Sequence, residues 1–284
     1  MQGWLVVDKP AGPTAHDIVA RARRRLHFKR IGHSGTLDPP ATGVMVLALG
    51  NATRLLRFLP GDKTYWGRVT FGVTTSTLDA TGAVQETRSV DISQAAIEAA
   101  LPPFRGLIEQ QPPMVSAVHH EGKRLYELAR AGQDVPDRPL RSVTVHHLEQ
   151  LAWESPHLDL RVHCSTGTYI RTIADDLGRA LGPGAHLSVL RRELANGFAL
   201  DQAVDLETIE DAALTRAILP IDAPLLGMPA VHLAEADAVR FRHGNPVAST
   251  VPAGLVRVYD GETLLGVAAS DGQTLTAEVV LVAG

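Results

Sequence analysis

Residues 31–43 read Ile31-Gly32-His33-Ser34-Gly35-Thr36-Leu37-Asp38-Pro39-Pro40-Ala41-Thr42-Gly43, and the next six, Val44-Met45-Val46-Leu47-Ala48-Leu49, are unbroken apolar. Glycine, proline and small hydroxyls mark the first part as a loop, while the apolar run has the length of a strand buried on both faces. A long loop feeding a core strand puts polar chemistry at the mouth of a sheet. Upstream, Trp4 to Val7 form a second buried strand, closed by Lys9-Pro10 and Gly12-Pro13. Thr14 and Asp17 have capping-box spacing, and Ala15, Val19, Ala22 and Leu26 then recur at helical intervals.

Downstream, Lys63 to Phe71 alternates, with Tyr65, Gly67, Val69 and Phe71 on one face and Thr64, Trp66, Arg68 and Thr70 on the other. Gln94 to Leu101 and Lys123 to Ala131 read as helices, the second with Gly132 in the position that ends one. Leu158, Leu160, Val162 and Cys164 alternate against His157, Asp159, Arg161 and His163. That strand runs through Thr166-Gly167-Thr168 into a helical pattern of Ile170, Ile173, Ala174 and Leu177, so Tyr169 and Arg171 stand at a strand-to-helix junction. Residues 201–240 hold eight acids against two arginines and read as a linker. Beyond it, short strands turn at Asp260-Gly261 and Asp271-Gly272, which predicts a small all-β tail.

With 284 residues, 45% hydrophobic and 20% charged, the chain suits one large domain plus a small one and excludes wholesale disorder, collagen and coiled coil. Cys164, the single cysteine, cannot form an internal disulfide, and neither paired CxxC nor HExxH occurs, so a reducing, metal-free cytoplasmic protein is expected. The histidine pairs His119-His120 and His146-His147 point to opposite faces of an extended chain and read as surface residues. The start is charged too early for a signal peptide, and no apolar run approaches the ~20 residues of a membrane span. A net charge of −4 means that attraction to a nucleic acid must come from a local patch. The strongest lies at residues 21–30, where Arg21, Arg23, Arg24, Arg25, Lys29 and Arg30 meet no acid; it is either a solvated helix face or a phosphate-binding surface.

Neither GxxxxGK[ST] nor GxGxxG is present, which argues against a nucleotide cofactor, and Gly32-His33-Ser34-Gly35 is not the GxSxG of a serine nucleophile. From residue types alone, Asp38 before Pro39 is a turn former or a reactive carboxylate. Arg171 is likewise an ion-pair partner or a substrate clamp, and Tyr65 and Tyr169 are core aromatics or loop-end platforms.

The 32–43 stretch resembles the catalytic motif of the bacterial tRNA pseudouridine-55 synthases, the TruB family, which modify the TΨC loop. Further blocks recur in that family's order: Asp8-Lys9-Pro10-Ala11-Gly12; Lys63 with Tyr65; Ser116-Ala117, Gly122 to Glu127 and Ala129-Arg130; and Cys164-Ser165 to Arg171-Thr172 and on to Gly178. Gly184-Ala185-His186 and Leu190-Arg191-Arg192 extend the match, and Gly244-Asn245-Pro246-Val247 in the tail resembles the family's RNA-binding PUA module.

The resemblance implies an α/β chain of α+β type, with a mixed, mostly antiparallel central sheet, flanking helices and a small C-terminal β-barrel-like module. It implies a catalytic domain over 1–227, with an RNA-clamping insertion at about 105–132, and an RNA-binding domain over 228–284. Asp38 would be the nucleophile, Tyr65 would stack on the base, and Arg171 would pair with Asp38. His33 would fill the space left by the extruded uridine, and Tyr169 and Leu190 would line the base pocket. Lys9 and Pro10 would support the site. RNA phosphates would meet Arg21, Arg24, Arg25, Lys29 and Arg30. The implied reaction needs no cofactor and no metal; the implied partner is the T stem-loop of tRNA, bound by a monomer with no protein partner. A tRNA-folding factor independent of turnover and an isomerase of another RNA are the rival readings. Two departures stand out. Thr75-Ser76-Thr77-Leu78-Asp79 has Ser76 where the family carries an acid, and Glu193 to Gly197 is less basic than the family pattern.

Overall fold

The computed structural model describes every residue except Ala117, Glu121 and residues 282–284, so Ala117 of the Ser116-Ala117 block lies outside the described residues. The chain opens with β1 (Gly3–Lys9), α1 (Ala15–Arg25), the short β2 (Ile31–His33) and β3 (Thr42–Leu49). Thr14 caps α1 as its spacing predicts, its hydroxyl accepting from Asp17 N–H while the Asp17 carboxylate accepts from Thr14 N–H. After a 3-10 segment, Gly50–Phe58, come β4 (Lys63–Phe71), the hairpin β5 (Val73–Thr75) and β6 (Val84–Thr87), and α2 (Gln94–Ala100). Next are β7 (Gly106–Gln110), the two-residue strands β8 (His119–His120) and β9 (Lys123–Arg124), α3 (Leu125–Arg130), β10 (Arg141–Glu154) and β11 (His157–Cys164). Then follow α4 (Ile170–Leu181), β12 (Ala185–Ala195), β13 (Phe198–Ala199) and α5 (Asp211–Arg216).

One nine-stranded sheet organises this part, in the order β1-β3-β12-β4-β11-β10-β7, with β2 attached to β3 and β13 to β12. Every pairing is antiparallel except that of β3 with β12, where Arg191 meets Thr42 and Arg192 meets Gly43. That parallel seam is possible because position 43 has no side chain: a Cβ there would sit 2.2 Å from the Arg192 carbonyl oxygen, and φ is +105°.

The unbroken apolar run of β3 reflects cover on both faces. Met45, Leu47 and Leu49 pack with Leu5, Ile18, Val19 and Ala22 under α1, while Val44, Val46 and Ala48 pack with Trp4 and Leu55 on the other side. A separate cluster unites Tyr65, Val69, Phe71, Leu158, Leu160 and Val162 with Ile170, Ile173 and Leu177 of α4 and Ile97 of α2.

The acid-rich stretch is no linker. Val204 and Leu219 bridge to Val7 and Trp4 of β1, and Leu206 and Leu214 are core residues under α1. Its acids read as solvated because its apolar residues are spaced too irregularly to show a period. The tail adds β14 (Ala230–His232), α6 (Glu235–Arg242), β15 (Val247–Ala248), β16 (Gly254–Asp260), β17 (Thr263–Ser270) and β18 (Thr274–Val280). Its curled five-stranded sheet, ordered β14-β16-β17-β18-β15, turns at both predicted Asp-Gly pairs, but α6 makes the module mixed rather than all-β. Phe241 of α6 fills one side of that sheet with Val256, Val258 and Leu265. From the other side Tyr259, Leu264, Val267, Val279 and Leu281 join Trp4, Val44 and Val46 in one cluster. No helix among the described residues is long and apolar enough to cross a membrane.

Residues 106–110 pair with β10 as the sheet's edge, and the departure from the sheet begins at Gln111. From there the chain folds a small cluster of its own, in which Val118, Leu125 and Leu128 pack with Met114, Val135 and Tyr169.

Candidate active site

A cleft of about 210 Å³ opens where the 34–38 loop, the start of β4 and the β11–α4 turn meet, and Asp38, Lys63, Tyr65, Tyr169, Arg171 and Leu190 line it. The partners of Asp38 bear on both readings of the residue. Its carbonyl accepts from Ala41 N–H at 3.0 Å, so the backbone does turn here. Its carboxylate, however, bonds no backbone N–H among the described residues; Oδ2 lies 2.9 Å from Arg171 Nη2, and the side chain is 41% exposed. The turn is closed by the main chain and leaves the carboxylate for something else.

Arg171 is 5% exposed and held from several sides. Its Nη1 donates to Thr77 O at 3.2 Å and its Nη2 to Val115 O at 2.9 Å, and Asp79 Oδ2 stands 3.7 Å from Nη1. In sequence Asp79 is only the end of the departing Thr75–Asp79 stretch, yet it is the second carboxylate of this network. Thr77 Oγ1 at 2.6 Å and Thr81 N and Oγ1 at 2.9 and 2.5 Å donate to its Oδ1. Leu78, with φ +62°, supplies the left-handed turn that brings Asp79 back toward Arg171. Ser76 instead accepts from Ala83 N–H at 3.1 Å and serves the β5–β6 hairpin. A guanidinium fixed this way orients its carboxylate more tightly than a mobile ammonium would.

Three buried groups that periodicity does not reveal hold the walls. Lys9 Nζ donates to the carbonyls of Pro10, Pro39 and Ala41 at 2.9, 2.9 and 2.8 Å, tying the Asp38 turn to the end of β1. Burial lowers its pKa to about 8, against the pull of Asp38 and with the push of Arg192. Arg192, also buried, donates to Val44 O at 2.7 Å and to Thr36 O at 3.0 Å, joining the seam to the loop. Gln110 accepts from Tyr169 N–H at 2.9 Å and donates to Tyr169 O at 3.3 Å, fixing the start of α4.

Tyr65 lies under the cleft with its hydroxyl near Arg192; burial raises the phenol's pKa, so it stays protonated and can donate. Lys63 Nζ donates to Gly61 O at 3.0 Å and Thr166 Oγ1 at 3.3 Å, and burial lowers its pKa. Burial likewise pushes the Cys164 thiol up to about 11, making it a poor nucleophile. His33 is not among the residues lining the cleft. It stands on β2 with its ring 6.4 Å from that of His16, its Nδ1 is buried without a partner, and burial lowers its pKa.

The basic patch is largely consumed within the chain. Arg21 pairs with Glu207, Arg25 with Asp211 and the Leu206 and Ile209 carbonyls, Arg23 with Ile31 O, and Arg30 with Asn51 and Thr53. The acids that offset it come from the 201–216 segment, far away in sequence. Arg24 and Lys29 have no ion-pair partner among the described residues. Asn196, in the weakly basic stretch, accepts from Ser34 Oγ at 2.5 Å and donates to Pro60 O at 2.7 Å, so it braces the loop.

The Asp38 carboxylate supports nothing in its own loop and stands beside a buried arginine in a cleft of a mixed sheet, and the sequence and fold together are those of the pseudouridine synthase class of enzymes. Known proteins narrow the class. A model described as the N-terminal domain of the TruB family of pseudouridylate synthases matches residues 23–170; TruB C-terminal models match 171–226 and 229–281. The tRNA pseudouridine synthase B of Synechococcus sp. is 45% identical over 291 aligned positions, covering 99% of each chain. That of Burkholderia lata is 44% identical over 293, covering 99% of this chain and 91% of its own. Among solved structures, a Cbf5-Nop10-Gar1 complex aligns with TM-score 0.75 and 26% identity over 99% of this chain and 85% of that one. The chain belongs to the TruB family of pseudouridylate synthases.

Proposed function

We propose that this chain isomerises uridine 55 in the TΨC loop of tRNA to pseudouridine, with Asp38 as nucleophile. The observation that carries the reading is the Asp38 carboxylate itself, paired with a buried arginine at the edge of a cleft and unused by its own turn. The reaction breaks N1–C1′, turns the uracil and joins C5 to C1′; it has no net redox change and calls for no cofactor. A carboxylate adding at C6 of the base, or capturing C1′ of the sugar, divides one hard step into two easier ones. Arg171 aims that carboxylate, and Tyr65 offers a ring for the flipped base, worth about 1–3 kcal/mol per stacked base.

Tyr169 and Leu190 bound the base, and the segment at about 105–132, which touches Arg171 through the Val115 carbonyl, clamps the T arm. Arg24 and Lys29, left unpaired, meet phosphates more readily than Arg21, Arg25 or Arg30. The catalytic part spans 1–227 and the RNA-binding module 228–284. The enzyme works in the cytoplasm as a monomer and requires no protein partner.

The test is unmodified tRNA and isolated T-arm transcripts, with pseudouridine located by carbodiimide-blocked reverse transcription. Both substrates should gain pseudouridine at position 55 only. Asp38→Asn should cut turnover at least about a thousandfold while leaving filter-retained tRNA and melting temperature near wild type. Arg171→Lys should be a partial version of the defect. Near-normal turnover in Asp38→Asn removes the nucleophile assignment. Wild-type binding without turnover favours a tRNA-folding factor, and modification only of other RNAs favours a different substrate.

A further inference from the structure

Outside the cleft, two histidines and an aspartate from three separate segments converge on one point of the sheet. Asp62 leads into β4, His163 lies on β11 and His146 on β10. The β10–β11 register slips between Val145↔Cys164 and His147↔His163, which makes His146 the extra residue of a β-bulge. Bulges re-aim the side chains they carry. Here the His146 ring comes to 5.1 Å from that of His163, tilted by 39°, and its Nε2 to 3.3 Å from Asp62 Oδ1. One ligand atom from each of the three lies within 4.8 Å of the other two, the only such group among the described residues.

We propose that Asp62, His146 and His163 bind a transition-metal dication of the zinc, nickel or copper class. Metal–ligand bonds of about 2.0–2.2 Å put the ligands of a tetrahedral ion about 3.4 Å apart, so the Asp62–His146 spacing already matches. The side chains of Asp62 and His146 are 48% and 40% exposed, free to close the remaining gap. Two imidazoles and one carboxylate favour these ions over magnesium or calcium, which take all-oxygen sets, and leave a fourth position to water. Thr64 Oγ1, 3.1 Å from His163 Nδ1, steadies that ring, and Asn196 N–H donates to Asp62 O at 3.3 Å to hold the backbone. Lys63, the neighbour of Asp62, lines the cleft, so an ion here pins the rim of the active site to β10 and β11. This departs from the metal-free expectation drawn from sequence: adjacency of His146 and His147 was no guide, because the partner is across the strand pair.

The experiment titrates zinc chloride into the untagged full chain by calorimetry, with cobalt(II) absorbance as a second readout. One saturable equivalent of micromolar or tighter affinity is expected, with a zinc-dependent rise in melting temperature. His146→Ala and Asp62→Asn should each weaken binding at least about tenfold and abolish that rise. The double variant His119→Ala/His120→Ala should bind as wild type. Absence of saturable binding, or binding unchanged in both His146→Ala and Asp62→Asn, overturns the site.

Discussion

Lys9 shows how much of the site depends on buried residues that do not line the cleft. One ammonium satisfies three carbonyls on two sides of the Asp38 turn. Lys9→Met keeps the length but removes every donor, and an unpaired buried carbonyl costs about 1–3 kcal/mol. Melting should therefore drop by the equivalent of at least about 2 kcal/mol, measured by denaturant unfolding. The folded pKa of about 8 lies below the ordinary Lys value of 10.5, so between those limits the unfolded chain binds more protons. Wild-type stability relative to Lys9→Met should then rise from pH 8 to 10.5 as the buried charge is relieved. Turnover should fall over the same range, since a neutral amine has two donors for three carbonyls. A pH–rate profile flat through pH 9 would show that the third tie is dispensable.

Among the elements, the parallel β3–β12 contact is the one that an otherwise antiparallel sheet does not require. It sets the exit of the Asp38 loop against Arg191 and Arg192, and Gly43 is where the two backbones touch. Gly43→Ala forces a methyl against the Arg192 backbone, and overpacking of this kind costs about 1–3 kcal/mol before strain at positive φ is counted. Turnover should fall further than stability, because the seam carries the Asp38 loop. Gly197→Ala is the control: φ is +83° there, but nothing lies within 4 Å of the added carbon. It should cost only the backbone term, about 1 kcal/mol, and leave turnover unchanged. Equal losses in the two variants would mean that the close approach is not what position 43 demands.

In the whole molecule, the tail is not a bead on a string. Tyr259, Leu264, Val267 and Val279 share a cluster with Trp4, Val44 and Val46, and Tyr259 donates to Asp222 Oδ2 at 2.7 Å. Arg54 and Arg57 of the 3-10 segment donate to the carbonyls of Val280 and Glu278 in β18. Two modules joined through a common core should unfold together, so calorimetry should record one transition with equal calorimetric and van't Hoff enthalpies. Truncation after residue 227 should yield a protein that aggregates, since it bares one face of β3. Two resolved transitions, or a well-folded truncated chain, would show that the shared cluster contributes little.

The local features were legible from the residues alone. Alternation at 63–71 and 157–164, the Thr14–Asp17 cap and the Asp-Gly hairpins are set by neighbours in sequence, whose side-chain spacing and backbone preferences carry the signal. The motif at 32–43 likewise pointed to Asp38 and, through the same resemblance, to Tyr65 and Arg171. What lay beyond reach depended on contacts between distant segments. Acids at 207 and 211 cancel much of the charge at 21–25, Asp79 arrives beside Arg171, and His146 finds His163 only because a bulge turns it there. His33 is not among the residues lining the cleft, and its place beside Leu47 is set by the pairing of β2 with β3. A period of two or 3.6 residues reports which face is buried. Which charge meets which, and which loop closes over which strand, is decided when the fold brings together residues far apart in the chain, as with Arg21 and Glu207, 186 positions distant.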